Sequence, residues 1–221
     1  MNKKGFDPRQ ITILAMFTAI SFVLVLLSEA IPKVEGFLSY EPKDAVIAIA
    51  GFLFGPAPAV IICVLVALIE MVTISATGPI GFLMNVISTC AFVLPASVIY
   101  KKRRTKSGAV TGLAIGVIAM TVMMILWNYI ITPLYMNVDR SVVISMLIPV
   151  FVPFNLIKGG INSALTMLLY KPVVTALRSA NLAEPSPAGS EKGGFSIGFF
   201  LLSLAILATF LLAFCALIGV F

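Results

Sequence analysis

Asn128, Asn155 and Lys158 are the polar side chains of this sequence best placed to do chemistry, because each interrupts a run of apolar residues. A polar group inside an apolar helix costs free energy unless something pairs with it, so it is a functional candidate by default. Asn155 and Lys158 are three apart and share one helix face. They follow Pro153, and proline is favoured at the first position of a helix. Both are therefore expected in the first turns, where unpaired amide N–H groups and the positive end of the helix dipole also point outward. Asn128 follows Trp127 near the end of the preceding apolar run. Together they would suit a neutral or mildly acidic ligand rich in hydrogen-bond acceptors. The same residue types also serve an asparagine bonded between helices or a lysine snorkelling to the membrane interface. Three such groups at one depth favour a site.

The chemistry that is missing narrows the function. There is no histidine, hence neither the commonest metal ligand nor the commonest general base. There is no glycine-rich phosphate loop and no set of nucleophile, base and acid. Glu29 and Glu70 read as isolated acids near span ends. No catalytic constellation is expected in this chain. If it moves a solute with ATP, another chain must hydrolyse the nucleotide. Cys63, Cys90 and Cys215 all lie in apolar runs without paired spacing and read as small apolar residues.

The elements that must position these residues are membrane-spanning helices. Of the 221 residues, 60% are hydrophobic and 11% charged, against about 25% charged in an ordinary soluble domain. Too little polar surface exists to cover a water-facing globule, and the uncharged runs reach the ~20 residues needed to cross a bilayer. Spans are expected at roughly 10–31, 44–55, 57–76, 79–100, 108–131, 150–177 and 196–220. The breaks at Gly55-Pro56 and Gly78-Pro79 have a mechanism, since proline cannot continue a helix and glycine permits the turn. The N-terminus mimics a signal peptide, with Lys3, Lys4 and Arg9 before an apolar stretch and Ser28-Glu29-Ala30 after it. That stretch is longer than a usual signal core and is read as a retained first span.

Charge sets the orientation. With the N-terminus inside, eleven Lys and Arg fall in inside segments or, for Lys171, at the inner end of a span, five of them at 101–106; Lys33, Lys43 and Arg140 fall outside, and Lys158 lies deep within a span. That asymmetry predicts a cytoplasmic N-terminus. The net charge of +6 is thereby a topology signal, and no nucleic-acid partner is expected. The outside then owns a loop at about 32–43 and another at about 132–149. Both are amphipathic and suited either to closing over a ligand or to anchoring in the interface. Ala15 and Ala19 in the first span, and Gly112 and Gly116 in the fifth, are small residues four apart, a spacing that lets helices approach closely. Residues 181–194 read as a flexible linker, and 195–221 as an additional, almost wholly apolar span appended to a core of residues 1–180.

Several segments in combination identify a family resemblance. They are Phe37-Leu38-Ser39-Tyr40-Glu41-Pro42-Lys43-Asp44, Gly51-Phe52-Leu53-Phe54-Gly55-Pro56, Thr77-Gly78-Pro79-Ile80-Gly81-Phe82-Leu83-Met84-Asn85, Trp127-Asn128-Tyr129 with Pro133-Leu134-Tyr135, and Pro153-Phe154-Asn155-Leu156-Ile157-Lys158-Gly159. From the first span to about Leu177 the chain resembles the substrate-binding S components of energy-coupling factor (ECF) vitamin transporters, in their riboflavin-specific branch. The resemblance implies an all-α integral membrane protein of six bundled helices, to which this chain adds a seventh. It implies riboflavin as a transported ligand rather than a cofactor. It also implies a bacterial cell-membrane location among lipids, a transmembrane coupling subunit and two ATPase subunits. Asn128, Asn155 and Lys158 occupy the positions that hold the flavin ring in the family. The pyrimidine-dione edge of flavin presents two carbonyl acceptors around an N–H donor, which an asparagine amide and a lysine can match. Leu38, Tyr40, Met84, Asn85 and Trp127 are candidates for the rest of the pocket. Ala15 and Ala19 match the alanine pattern that meets the coupling subunit. The alternatives are another vitamin, a flavin phosphate such as FMN or, from a different class, a small integral-membrane enzyme. A phosphate would call for more outer arginines than Arg140 alone.

Overall fold

The computed structural model describes residues 8–182 and 196–220, and among them helix is the dominant conformation. The chain runs through α1 (Pro8–Ser28), α2 (Lys43–Phe54), α3 (Pro56–Thr73), α4 (Gly78–Arg103), α5 (Lys106–Ile130), α6 (Thr132–Met136), α7 (Arg140–Met146), α8 (Val152–Ser179) and α9 (Ile197–Leu217), with a π-helical turn at Leu147–Phe151 joining α7 to α8. The breaks fall at the glycine–proline punctuation. Thr105 caps α5 by accepting from the Gly108 amide at 3.0 Å.

Among the described residues, six helical stretches are long and apolar enough to cross a membrane: α1, α3, α4, α5, the continuous stretch Arg140–Ser179, and α9. The chain is a multi-pass, all-α membrane protein. α2 is shorter than a span. Its 12 residues cover ~18 Å at 1.5 Å each, against a ~30 Å hydrocarbon core. It is enclosed by α1, α3, α4 and α8, and its residues from Ala45 to Phe52 are mostly small or apolar and buried. A helix walled in on all sides needs no polar face.

α4 and α5 form the most extensive helix pair, and the glycine spacing explains it. A Cβ on Gly112 would come within 2.9 Å of the Ala96 carbonyl oxygen, and one on Gly116 would collide with the Phe92 carbonyl. This small-residue stripe packs inside the molecule. That of Ala15 and Ala19 does not: both are exposed on α1, while Ile13, Leu14, Phe17 and Thr18 face the core.

Two expectations are corrected. The stretch at about 132–149 is not an open loop but is coiled into α6, α7 and the start of the π turn. Asn155 and Lys158 also do not occupy the first turns of a fresh helix, because helical chain runs unbroken from Arg140. The π turn carries Pro149 and lets the helix continue into α8, so the free amide groups expected beside Asn155 do not arise there. The anticipated 181–194 linker lies, from residue 183 onward, outside the described residues.

Candidate functional site

The loop between α1 and α2 folds back over the bundle. Val34 and Leu38 exchange backbone hydrogen bonds of 3.0 Å in each direction, closing a tight turn. Phe37 packs its ring against Phe151 of the π turn, centroids 6.0 Å apart. Val34, Tyr40 and Glu41 are buried. The loop thus delivers Tyr40 and Glu41 to the mouth of α2, where Lys43 and Asp44 follow.

There α8 meets them. Lys158 and Asn162 are one helical turn apart and share a face. The Lys158 Nζ donates to Glu41 Oε2 at 3.0 Å and stands 3.8 Å from Asp44 Oδ2. Asn162 Nδ2 donates to the Glu41 carbonyl oxygen at 3.1 Å, and its Oδ1 accepts from the Tyr40 hydroxyl at 3.3 Å. Lys43 sits between Glu41 Oε1 at 3.2 Å and Glu70 Oε2 at 2.7 Å. Asn85 of α4 donates to Glu70 Oε1 at 2.7 Å, and Thr89 donates to Asp44 Oδ1 at 2.7 Å. Five acidic and basic side chains from the loop, α2, α3 and α8 therefore form one buried network. Glu70, read from the sequence as an isolated acid, is one of its anchors.

Burying these charges is costly, and it is tolerated only because each finds partners. Burial would push the Glu41 carboxyl up, but the neighbouring Lys158 and Lys43 ammonium groups outweigh it and bring it down to about 2. Burial raises the Tyr40 phenol, and the nearby Asp44 charge adds to the rise, so Tyr40 stays a hydrogen-bond donor. Asp44 Oδ2 is buried without a hydrogen-bond partner, an acceptor left over beside Lys158.

Asn128, Asn155 and Lys158 are all buried, at 3%, 2% and 6% exposure, but they do not bond to one another. Asn155 Nδ2 donates to the Phe151 carbonyl at 2.8 Å, on a backbone group of the π turn. Asn128 Nδ2 donates to Met124 O at 2.7 Å, and its Oδ1 accepts from Thr132 at 2.8 Å. Both asparagines are held by their own segment, and α5 packs against α8 and the π turn. π turns are frequent at functional sites. Tyr40, Asn85 and Lys158 belong to the charged network. Leu38 lies partly buried against the cluster of Val34, Tyr40, Phe154, Ile157 and Ile161, whereas Met84 and Trp127 lie partly buried against the main core.

Sequence reasoning passed over Glu41, Lys43, Asp44, Thr89 and Asn162. Two signals were available: Asn162 stands four residues after Lys158 on the same face, and Glu41-Pro42-Lys43-Asp44 packs three charges into four positions at a span mouth.

Residues 9–170 match the family model of the ECF transporter, substrate-specific component. The chain is 30% identical over 178 residues to the riboflavin transporter RibU of Staphylococcus aureus, covering 78% of this chain and 93% of the relative. It is 26% identical to the riboflavin transporter FmnP of Bacillus subtilis, covering 79% and 98%, and 31% identical to RibU of Streptococcus thermophilus, covering 77% and 85%. Among solved structures it is similar to an S component of a bacterial ECF transporter, with a TM-score of 0.65 and 31% identity over 77% of this chain and 98% of that one.

Proposed function

This chain belongs to the substrate-specific components of ECF transporters, and from that membership we propose that it is the riboflavin-binding subunit of such a transporter. Lys158 carries the reading: a buried ammonium, one turn from Asn162 and on the same helix as Asn155, under a loop that supplies Leu38 and Tyr40. An ammonium has three donors. Glu41 takes one, so Lys158 retains donors for a carbonyl of the pyrimidine-dione edge. The Asn128 and Asn155 amides can each offer a donor and an acceptor by releasing a bond within their own segment. The apolar body of the flavin would lie against Leu38, Trp127 and Met84, which are only partly buried. The site holds the vitamin without changing it.

Coupling to ATP hydrolysis belongs to partner chains: a transmembrane coupling subunit and two ATPases. The exposed Ala15 and Ala19 are suited to meet the coupling subunit, since small side chains permit close helix approach. The basic end of the bundle, with Lys101, Lys102 and Arg103 in the last turn of α4, faces the cytoplasm, and the charged network lies toward the outer face.

The direct test is titration of the purified, detergent-solubilised protein with riboflavin, following flavin fluorescence. Saturable quenching at one site is expected, with thiamine and biotin failing to compete. Tight binding of another vitamin and none of riboflavin would overturn the assignment.

A further inference from the structure

α9 lies beyond the residues that match the family, and most of it is exposed; of its 21 residues only Ser203 and Phe214 are buried. Its contacts are nonetheless placed over the site. α9 packs along α8, and a Cβ on Gly160 would collide with the Phe210 ring, so α8 carries glycine where that ring lies against it. One turn further on, Phe214 joins Val34, Tyr40, Phe154, Ile157 and Ile161 in a single apolar cluster. Its ring centroid is 5.7 Å from that of Tyr40, with the planes inclined at 55°. Phe210 and Phe214 are four apart and so lie on one face.

Tyr40 is the terminal link of the polar chain described above. Its ring rests on Phe214, its hydroxyl on Asn162, and Asn162 holds the backbone of Glu41, whose carboxylate holds Lys158. We infer that Phe214 of α9 is a positioning residue of the binding site, which clamps Tyr40 and so holds the α1–α2 loop shut over the ligand position. The inference rests on the riboflavin reading for its ligand, but the clamp itself is a property of the free protein. A ligand reaching the buried Lys158 must pass the loop, and each opening separates Tyr40 from Phe214. The clamp therefore slows both entry and exit. α9 is thereby part of the site's support rather than a separable appendage.

The test is stopped-flow riboflavin exchange on the full chain bearing Phe214→Ala. An aromatic pair contributes enough to change an opening equilibrium about tenfold, so association and dissociation should both accelerate about tenfold, with a smaller change in Kd. Phe214→Leu should accelerate both by less, and it decides the matter if the alanine variant does not fold. Leu204→Ala, on the exposed side of α9, should leave both rates as in wild type. A purely structural role would lower the bindable fraction without raising the rates. Unchanged rates in both Phe214 variants, or equal acceleration by Leu204→Ala, overturn the inference. If wild type fails to bind riboflavin, the ligand reading fails instead. The clamp is then judged by amide hydrogen exchange of residues 31–42 in ligand-free protein, which must speed up in the Phe214 variants for the inference to stand.

Discussion

Lys158 and Glu41 stand 117 positions apart in sequence, yet the ammonium of the first donates to the carboxylate of the second at 3.0 Å, with both side chains buried. The contact ties the loop to α8 at the point where the ligand is proposed to bind. On the proposed reading, one lysine is both a strut of the free protein and a donor to the ligand.

Removing Lys158 should therefore have two effects. In Lys158→Met, Glu41 keeps only Lys43, and breaking a buried pair from one side destabilises by ~3–5 kcal/mol. Thermal melting of the ligand-free protein should drop accordingly. Riboflavin affinity should also fall by at least about tenfold, because a bond from a charged donor is lost. Adding Glu41→Gln should restore part of the stability and none of the affinity. Strict additivity of the two substitutions in melting would contradict the pairing.

Stability should depend on acid in a defined window. The Glu41 carboxyl moves from 4.5 down to about 2 on folding, since Lys158 and Lys43 outweigh its burial. A depressed carboxyl contributes stability that is fully present above its unfolded value and lost as pH falls through the folded one. Melting temperature should decline as pH drops from 4.5 toward 2, and more steeply in wild type than in Glu41→Gln. Parallel declines in the two proteins would show that other groups govern acid sensitivity.

The exposure of Ala15 and Ala19 separates binding from coupling. Ala15→Trp with Ala19→Trp adds bulk at two exposed positions of α1, so riboflavin binding in detergent should match wild type. ATP-driven uptake in cells or proteoliposomes carrying the coupling subunit and ATPases should be abolished. Normal uptake by the folded double variant would remove these alanines from the coupling surface.

Orientation can be read by labelling. With Cys63, Cys90 and Cys215 replaced, a cysteine at Ser39 in the loop should react with an impermeant maleimide on intact cells. One at Ser107, beside the basic end, should react only after permeabilisation. The reverse pattern would invert the topology drawn from the charge asymmetry.

The helical membrane class, the breaks at Gly55-Pro56 and Thr77-Gly78-Pro79, and a small-residue stripe at Gly112 and Gly116 able to admit another helix could all be read along the chain; that α4 fills it could not. Each depends on local properties: the length of apolar runs, a proline that cannot donate, and small residues at fixed spacing. Asn128, Asn155 and Lys158 stood out for a similar reason, since a polar group in an apolar run is conspicuous without knowledge of its neighbours. Glu41, Lys43 and Glu70 did not, because a charge at a span mouth looks the same whether it faces water or a buried counter-charge.

What the sequence determined by itself was therefore the kind of protein and the helix that carries Lys158. Tertiary structure alone decided which charges meet. Lys43 finds Glu70 across 27 positions and Asn162 finds Glu41 across 121, and such pairings depend on how each helix is rotated and on where the loop returns, which no local pattern encodes. The same holds for α9. Its apolar sequence suits lipid on every side, and only packing shows that Phe210 enters the space left by Gly160 while Phe214 reaches Tyr40. Contact between distant segments is a property of shape, and shape exists only once the helices have been brought together.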